Sequence, residues 1–87
     1  MTTSDLILQR LSVLEPETCN LEDESAQHRG HAGAASGGGH FRLTLVSPKF
    51  RNLSTLARHR LVYEAMGELM QREIHALSIT ALTPEEL

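Results

Sequence analysis

The clearest pattern of apolar and polar positions lies in the second half of the chain. After Phe50-Arg51-Asn52-Leu53-Ser54, which reads as a turn with a capping serine, Val62, Ala65, Met66, Leu69 and Met70 form one stripe and Glu64, Glu68 and Gln71 lie opposite. That spacing predicts a long helix to about Arg72. Two stretches alternate instead. From His40 to Ser47, Phe41, Leu43 and Leu45 point one way and Arg42, Thr44 and Val46 the other, and Ser47-Pro48 ends the run. From Ile74 to Leu82, His75, Leu77, Ile79 and Ala81 would share one face, with Ser78 and Thr80 on the other. Near the N-terminus, Ser4 and Asp5 can cap a helix carrying Leu6, Ile7, Leu11 and Leu14, which Pro16 stops at Leu14 or Glu15. Cys19 to Ser25 is a short polar strand candidate with Cys19 and Leu21 on one side. Thr83-Pro84-Glu85-Glu86 reads as a cap and first helical turn.

The predicted order is helix, strand, strand, helix, strand. Three strands need a helical layer over one face, and two helices supply it, so the expected class is α+β. Between the first two strands, residues 26–39 are rich in Gly and carry His28 and His31. Such a composition predicts a flexible loop, and connections of this length in compact domains tend to be functional.

Composition narrows the picture. With 87 residues the chain is expected to form one domain over residues 1–87. Its 40% hydrophobic fraction includes no Trp, one Tyr and two Phe, so aliphatic side chains and Met must fill a thin core. The formal charge of −3 argues against non-specific binding to polyphosphates, which needs clustered cations. One cysteine, Cys19, excludes an internal disulfide and is too few for a cluster with four protein thiolates. No basic region precedes a long apolar run and no stretch reaches membrane-spanning length. The chain is therefore expected to be cytoplasmic, or to sit in an organelle matrix if a presequence is removed.

Five ordered segments carry a family resemblance: Asp23-Glu24-Ser25, His40-Phe41, Leu45-Val46-Ser47-Pro48-Lys49-Phe50, Arg58-His59-Arg60-Leu61-Val62-Tyr63, and His75-Ala76-Leu77-Ser78-Ile79. Together they resemble the BolA family over about residues 21–84. The resemblance implies an αββαβ fold related to the class II KH domain. It also implies a complex with a monothiol glutaredoxin, in which a 2Fe-2S cluster is held by the glutaredoxin cysteine, a glutathione thiol and residues of the BolA-like chain. The ligand it implies most directly is the histidine opening the last strand, His75. A second ligand would come from the loop between the first two strands. Counting from Glu24-Ser25 favours His28 and counting back from His40-Phe41 favours His31, with His31 placed slightly ahead. The implied assembly is a monomer alone and a heterodimer with the partner, and the isolated chain is expected to be metal-free.

The residues themselves support less. Alternation puts His75 beside Leu77 and Ile79 at the edge of an apolar face, where a packed structural histidine would be ordinary. The two loop histidines would otherwise read as solvated side chains. A histidine ligand in place of a thiolate removes negative charge from a cluster and raises its potential, and protonation weakens such ligation. A zinc site from His28, His31 and His40 is disfavoured because nothing fixes a fourth ligand. His59 falls on the apolar side of its helix and reads as structural. Arg58 and Arg60 form a basic cluster suited to an anionic partner, and the family includes transcription-regulating members linked to DNA. However, the KH clamp on nucleic acid is a GXXG loop between two helices, and here the glycines lie between strands. No nucleophile with a partnered base, phosphate loop or carboxylate pair is apparent, so no enzymatic activity is expected.

Overall fold

The computed structural model describes residues 1–25 and 39–87. His28 and His31, and nearly all of the loop predicted over residues 26–39, lie outside the described residues.

Helix α1 spans Thr3–Leu11 and continues into a 3-10 turn over Ser12–Leu14. Its cap is Thr2, two residues before the Ser4 that the sequence suggests. The Thr2 hydroxyl accepts from the Asp5 amide and the Asp5 carboxylate accepts from the Thr2 amide, a reciprocal box that satisfies two orphan donors. Strand β1 is Thr18–Asp23, β2 is Gly39–Val46 and β3 is Ile74–Leu82. They form one sheet in the order β1-β2-β3, with β1 antiparallel and β3 parallel to β2. A parallel neighbour requires a crossover. That crossover comprises the Pro48–Phe50 turn, helix α2 (Thr55–Met66) and the short helix α3 (Leu69–Arg72). The αββαβ order is present, and the helices cover one face.

The long helix predicted to Arg72 is interrupted. Gly67 ends α2 at φ +56°, and its N–H donates to the Tyr63 carbonyl at 3.0 Å. A left-handed residue cannot propagate an α-helix, so the chain restarts as α3 while keeping Leu69 on the buried side. The apolar stripe spans the break, which is why periodicity alone does not reveal it.

The core joins Ile7, Leu11 and Leu14 of the first helical segment, Phe41, Leu43 and Leu45 of β2, Phe50, Val62 and Met66, Leu69, and Ile74. Alternation in β2 therefore reads correctly for these three side chains. Val46, predicted to face the polar side, is also buried. Cys19 is half-buried against the core, and burial raises its thiol pKa above the ordinary value. Ser47 closes the far end of β2: its hydroxyl donates to the Leu14 carbonyl at 2.6 Å and accepts from the Lys49 amide at 3.1 Å.

Candidate functional site

One end of the sheet collects three strand termini: the end of β1 and the starts of β2 and β3. This follows from topology, because β1 runs against β2 and β3 runs with it. The corner is tied by hydrogen bonds. The Ser25 amide donates to Asp23 Oδ1 at 2.9 Å, and hydrogen bonds from Ser25 hold the Asp23 carboxyl below the usual carboxylate range. Ser25 Oγ accepts from the His40 amide at 3.1 Å, and the His40 carbonyl accepts from the Glu24 amide at 2.8 Å. The Gly39 amide donates to the Glu73 carbonyl at 3.0 Å. The connection bearing His28 and His31 leaves at Ser25 and returns at Gly39, so both of its attachments are here.

His75 sits at this end, and its placement departs from simple alternation. The register runs Gly39↔Ile74 and then His40↔Ala76, so two residues of β3 oppose one step of β2. His75 is the extra residue of a β-bulge, a device that re-aims a side chain. Ile74 takes the inward position and is buried, while His75 is exposed. The expectation that His75 lies on the face of Leu77 and Ile79 is thus corrected. The bulge shifts the phase by one residue between Ile74 and Leu77, and the imidazole leaves the core.

The His75 ring lies beside that of His40, with centroids 5.0 Å apart and planes tilted by 42°. The sequence places His40 at the start of a strand, in the His40-Phe41 segment of the family resemblance and in a disfavoured zinc set, but not beside His75. Its approach to His75 depends on the bulge, which the sequence does not signal directly. The one local sign is Gly39. A Cβ there would come within 2.5 Å of Phe41 Cε2 and 3.2 Å of Ser25 Oγ. Only glycine lets the corner close over the buried Phe41 ring. Nearby Glu73 has a buried carboxylate oxygen, Oε2, without a hydrogen-bond partner among the described residues.

Chemically, His75 offers an accessible imidazole held on a strand rather than on a loop. Among the described residues no group of three or more His, Cys, Asp or Glu side chains converges to hold a metal ion. The described residues of this corner do not by themselves supply a full ligand set, so a metal or cluster held by His75 would need ligands from outside them.

The other predicted contact residues lie elsewhere. Arg58 is turned inward, its side chain only 13% exposed. Its Nε donates to the Leu53 carbonyl at 3.0 Å, and Nη1 donates to the Ala81 carbonyl at 3.0 Å and to Glu86 Oε1 at 2.6 Å. The structure moves Arg58 from candidate contact to internal anchor, because its donors are consumed by the fold. Arg60 is exposed, and His59 is half-buried, in keeping with a structural role.

The family model for the BolA-like protein matches residues 11–86. The chain belongs to the BolA family. It is 45% identical to BolA-like protein 1 of Mus musculus over 73 residues, which cover 84% of this chain and 51% of that protein. The chain thus spans about half the length of that relative. It is 32% identical to the DNA-binding transcriptional regulator BolA of Haemophilus influenzae over 87 residues, covering 99% of this chain and 82% of that protein. The solved structure of BolA1 from Arabidopsis thaliana superposes with a TM-score of 0.84 at 33% identity, covering 100% of this chain and 98% of that one. The three-stranded sheet with its helical layer is therefore the BolA fold. Among the described residues no helix is long and apolar enough to cross a membrane.

Proposed function

We propose that this BolA-family chain is an adaptor that completes a shared 2Fe-2S cluster carried by a monothiol glutaredoxin. In this reading it serves cluster assembly or transfer, or iron homeostasis, and is not an enzyme. The observation that carries the reading is His75, placed by a bulge on the outside of the sheet at the end where the His28- and His31-bearing connection is attached. A core histidine has no reason to be bulged outward. A ligand meeting a cluster on another protein needs an exposed nitrogen on a fixed backbone. Cys19 is half-buried in β1 and is not suited to share the task. The glutaredoxin cysteine and a glutathione thiol supply the thiolates, and His75 with one of His28 or His31 supplies imidazole nitrogen.

Titrating the chain into a cluster-loaded monothiol glutaredoxin tests this. The visible absorption spectrum should change on mixing, because thiolate ligands are exchanged for imidazole. Of the variants His28→Ala and His31→Ala, one should abolish the change and the other preserve it. An unchanged spectrum on mixing the native chain overturns the proposal.

A second reading rests on the relatives from Haemophilus influenzae and Vibrio cholerae, both named DNA-binding transcriptional regulator BolA. With Arg58 used internally, Arg60 is the basic-cluster residue left to contact phosphate. DNA binding of this kind predicts an affinity that falls with salt and weakens on Arg60→Ala. Absence of binding at low salt to promoter fragments removes it.

A further inference from the structure

The two edges of the sheet are finished differently. β1 is six residues long and ends in Leu21-Glu22-Asp23, whose negative charges oppose pairing with another copy of itself. β3 is nine residues long and reads Ile-His-Ala-Leu-Ser-Ile-Thr-Ala-Leu, with no Lys, Arg, Asp, Glu or Pro. Charges, prolines and shortness are the devices by which edge strands avoid pairing, and β3 has none of them beyond the bulge at its start.

The phase of its backbone groups is fixed by two hydrogen bonds. Leu82 turns its carbonyl inward, accepting from the Ser47 amide at 2.9 Å. Ala81 turns its carbonyl outward, accepting from Arg58 Nη1 at 3.0 Å. In a parallel pair the N–H and C=O of one residue point to the same side and alternate along the strand. Leu77 and Ile79 therefore present both groups outward. Among the described residues no other strand or turn hydrogen-bonds them. Arg58 plugs the edge at Ala81, and the bulge disrupts it at His75, so the regular open segment is Ala76–Thr80.

This segment is self-complementary. An antiparallel pairing centred on Ser78 sets Leu77 opposite Ile79 of a second copy, and Ile79 opposite its Leu77. Each of those pairs exchanges two N–H···O bonds. No other centre uses both open residues fully, since moving it one way requires the bulge and moving it the other requires the Ala81 carbonyl already taken by Arg58. The same register places the helix-covered faces of both sheets on one side. It also brings together Leu77 and Ile79, which are only partly buried although they pack on the core, whereas Leu43 in the central strand is 0% exposed. The missing neighbour strand accounts for that difference.

We infer that β3 is a self-pairing edge: two copies of this chain associate through Ala76–Thr80 into a continuous six-stranded sheet with the two-fold axis at Ser78. The segment is short, so the pair is weak and forms as concentration rises, while the dilute chain is a monomer. The pairing segment directly follows His75 in β3, but the inference does not rest on the His75 reading.

Sedimentation velocity from micromolar to millimolar concentration tests the inference on the native chain, with Ser78→Lys and Ser78→Glu as variants. Ser78 is exposed on the open face of the sheet, so neither change touches the core. The native chain should move from the mass of one chain toward two. Each variant alone should stay monomeric, because like charges would face each other across the axis. Their equimolar mixture should associate at least as well as the native chain. A native chain that remains single at millimolar concentration overturns the inference and leaves the edge to a different extended segment. A dimer equally strong in both variants overturns it too, as does a mixture no better than its components.

Discussion

The two ends of the sheet treat their polar side chains in opposite ways. At the far end, around Ser47 and Thr83, charges are tied to one another and to the backbone. Arg58 serves Leu53, Ala81 and Glu86, Arg51 is paired with Glu85, and Thr83 with Glu86 forms a capping box closing a 3-10 turn over Pro84–Glu86. At the near end the side chains of Asp23 and Ser25 hold the backbone, and the His75 ring is exposed. Hydrogen bonds fix Asp23, Ser25, Gly39 and His40, and a bulge turns the His75 ring out. The difference separates a polar cluster turned inward from a corner that leaves an imidazole exposed. The first consumes its donors inside the fold, and the second uses its backbone bonds to present a nitrogen outward.

This contrast can be broken from the clamp side. Arg58→Ala removes a largely buried guanidinium and leaves the Leu53 and Ala81 carbonyls without their donor. It should cost about 2–3 kcal/mol of stability in denaturant unfolding. The same variant, kept folded, should change the glutaredoxin spectrum as the native chain does. Gly39→Ala sharpens the comparison from the other end. Its Cβ would meet the Phe41 ring at 2.5 Å, and that ring is 4% exposed with little room to move. We expect a loss of about 1–3 kcal/mol, and here the spectral response should fall as well, because the corner that sets His40 and the bulge is displaced.

Acid titration of the native chain against Glu86→Gln isolates the Arg58–Glu86 pair. Arg58, with the Thr83 amide, pulls the Glu86 carboxyl down to about 2 from its ordinary 4.5. A depressed carboxyl adds stability that is present above its unfolded pKa and lost as pH falls through its folded one. The contribution should therefore disappear between about 4.5 and about 2. Glu86→Gln should flatten the stability profile in that window and leave it unchanged near neutrality apart from a constant offset. Because Glu86 is solvent-exposed, screening by salt should shrink the effect.

How much of this was legible beforehand depends on which interaction fixed each feature. The strands and the helical stripe follow from Phe41, Leu43 and Leu45 and from Val62, Met66 and Leu69, because burial imposes period two or period 3.6 on a sequence. The break at Gly67 was not legible, since the apolar stripe continues through it and only the positive φ stops the helix. The site divides in the same way. His75 is found by family resemblance, but its outward aim is not, because a bulge is a matter of register between β2 and β3 and leaves no alternation to read. The role of Arg58 was misjudged for a related reason. A basic cluster looks like a surface until tertiary structure brings the Ala81 carbonyl and Glu86 to it.

The smallest expected effect on stability carries the most information about function. His75→Ala removes an exposed ring from a bulge and should change unfolding free energy by no more than about 0.5 kcal/mol. Visible circular dichroism of cluster-loaded monothiol glutaredoxin, titrated with native chain and with His75→Ala, is the most direct test of the central claim. The native chain should produce a new cluster spectrum that saturates at a fixed stoichiometry, and the variant, equally folded, should not produce it. If His75→Ala gives the native spectrum at the same stoichiometry, His75 is not a ligand and the outward bulge serves some other purpose.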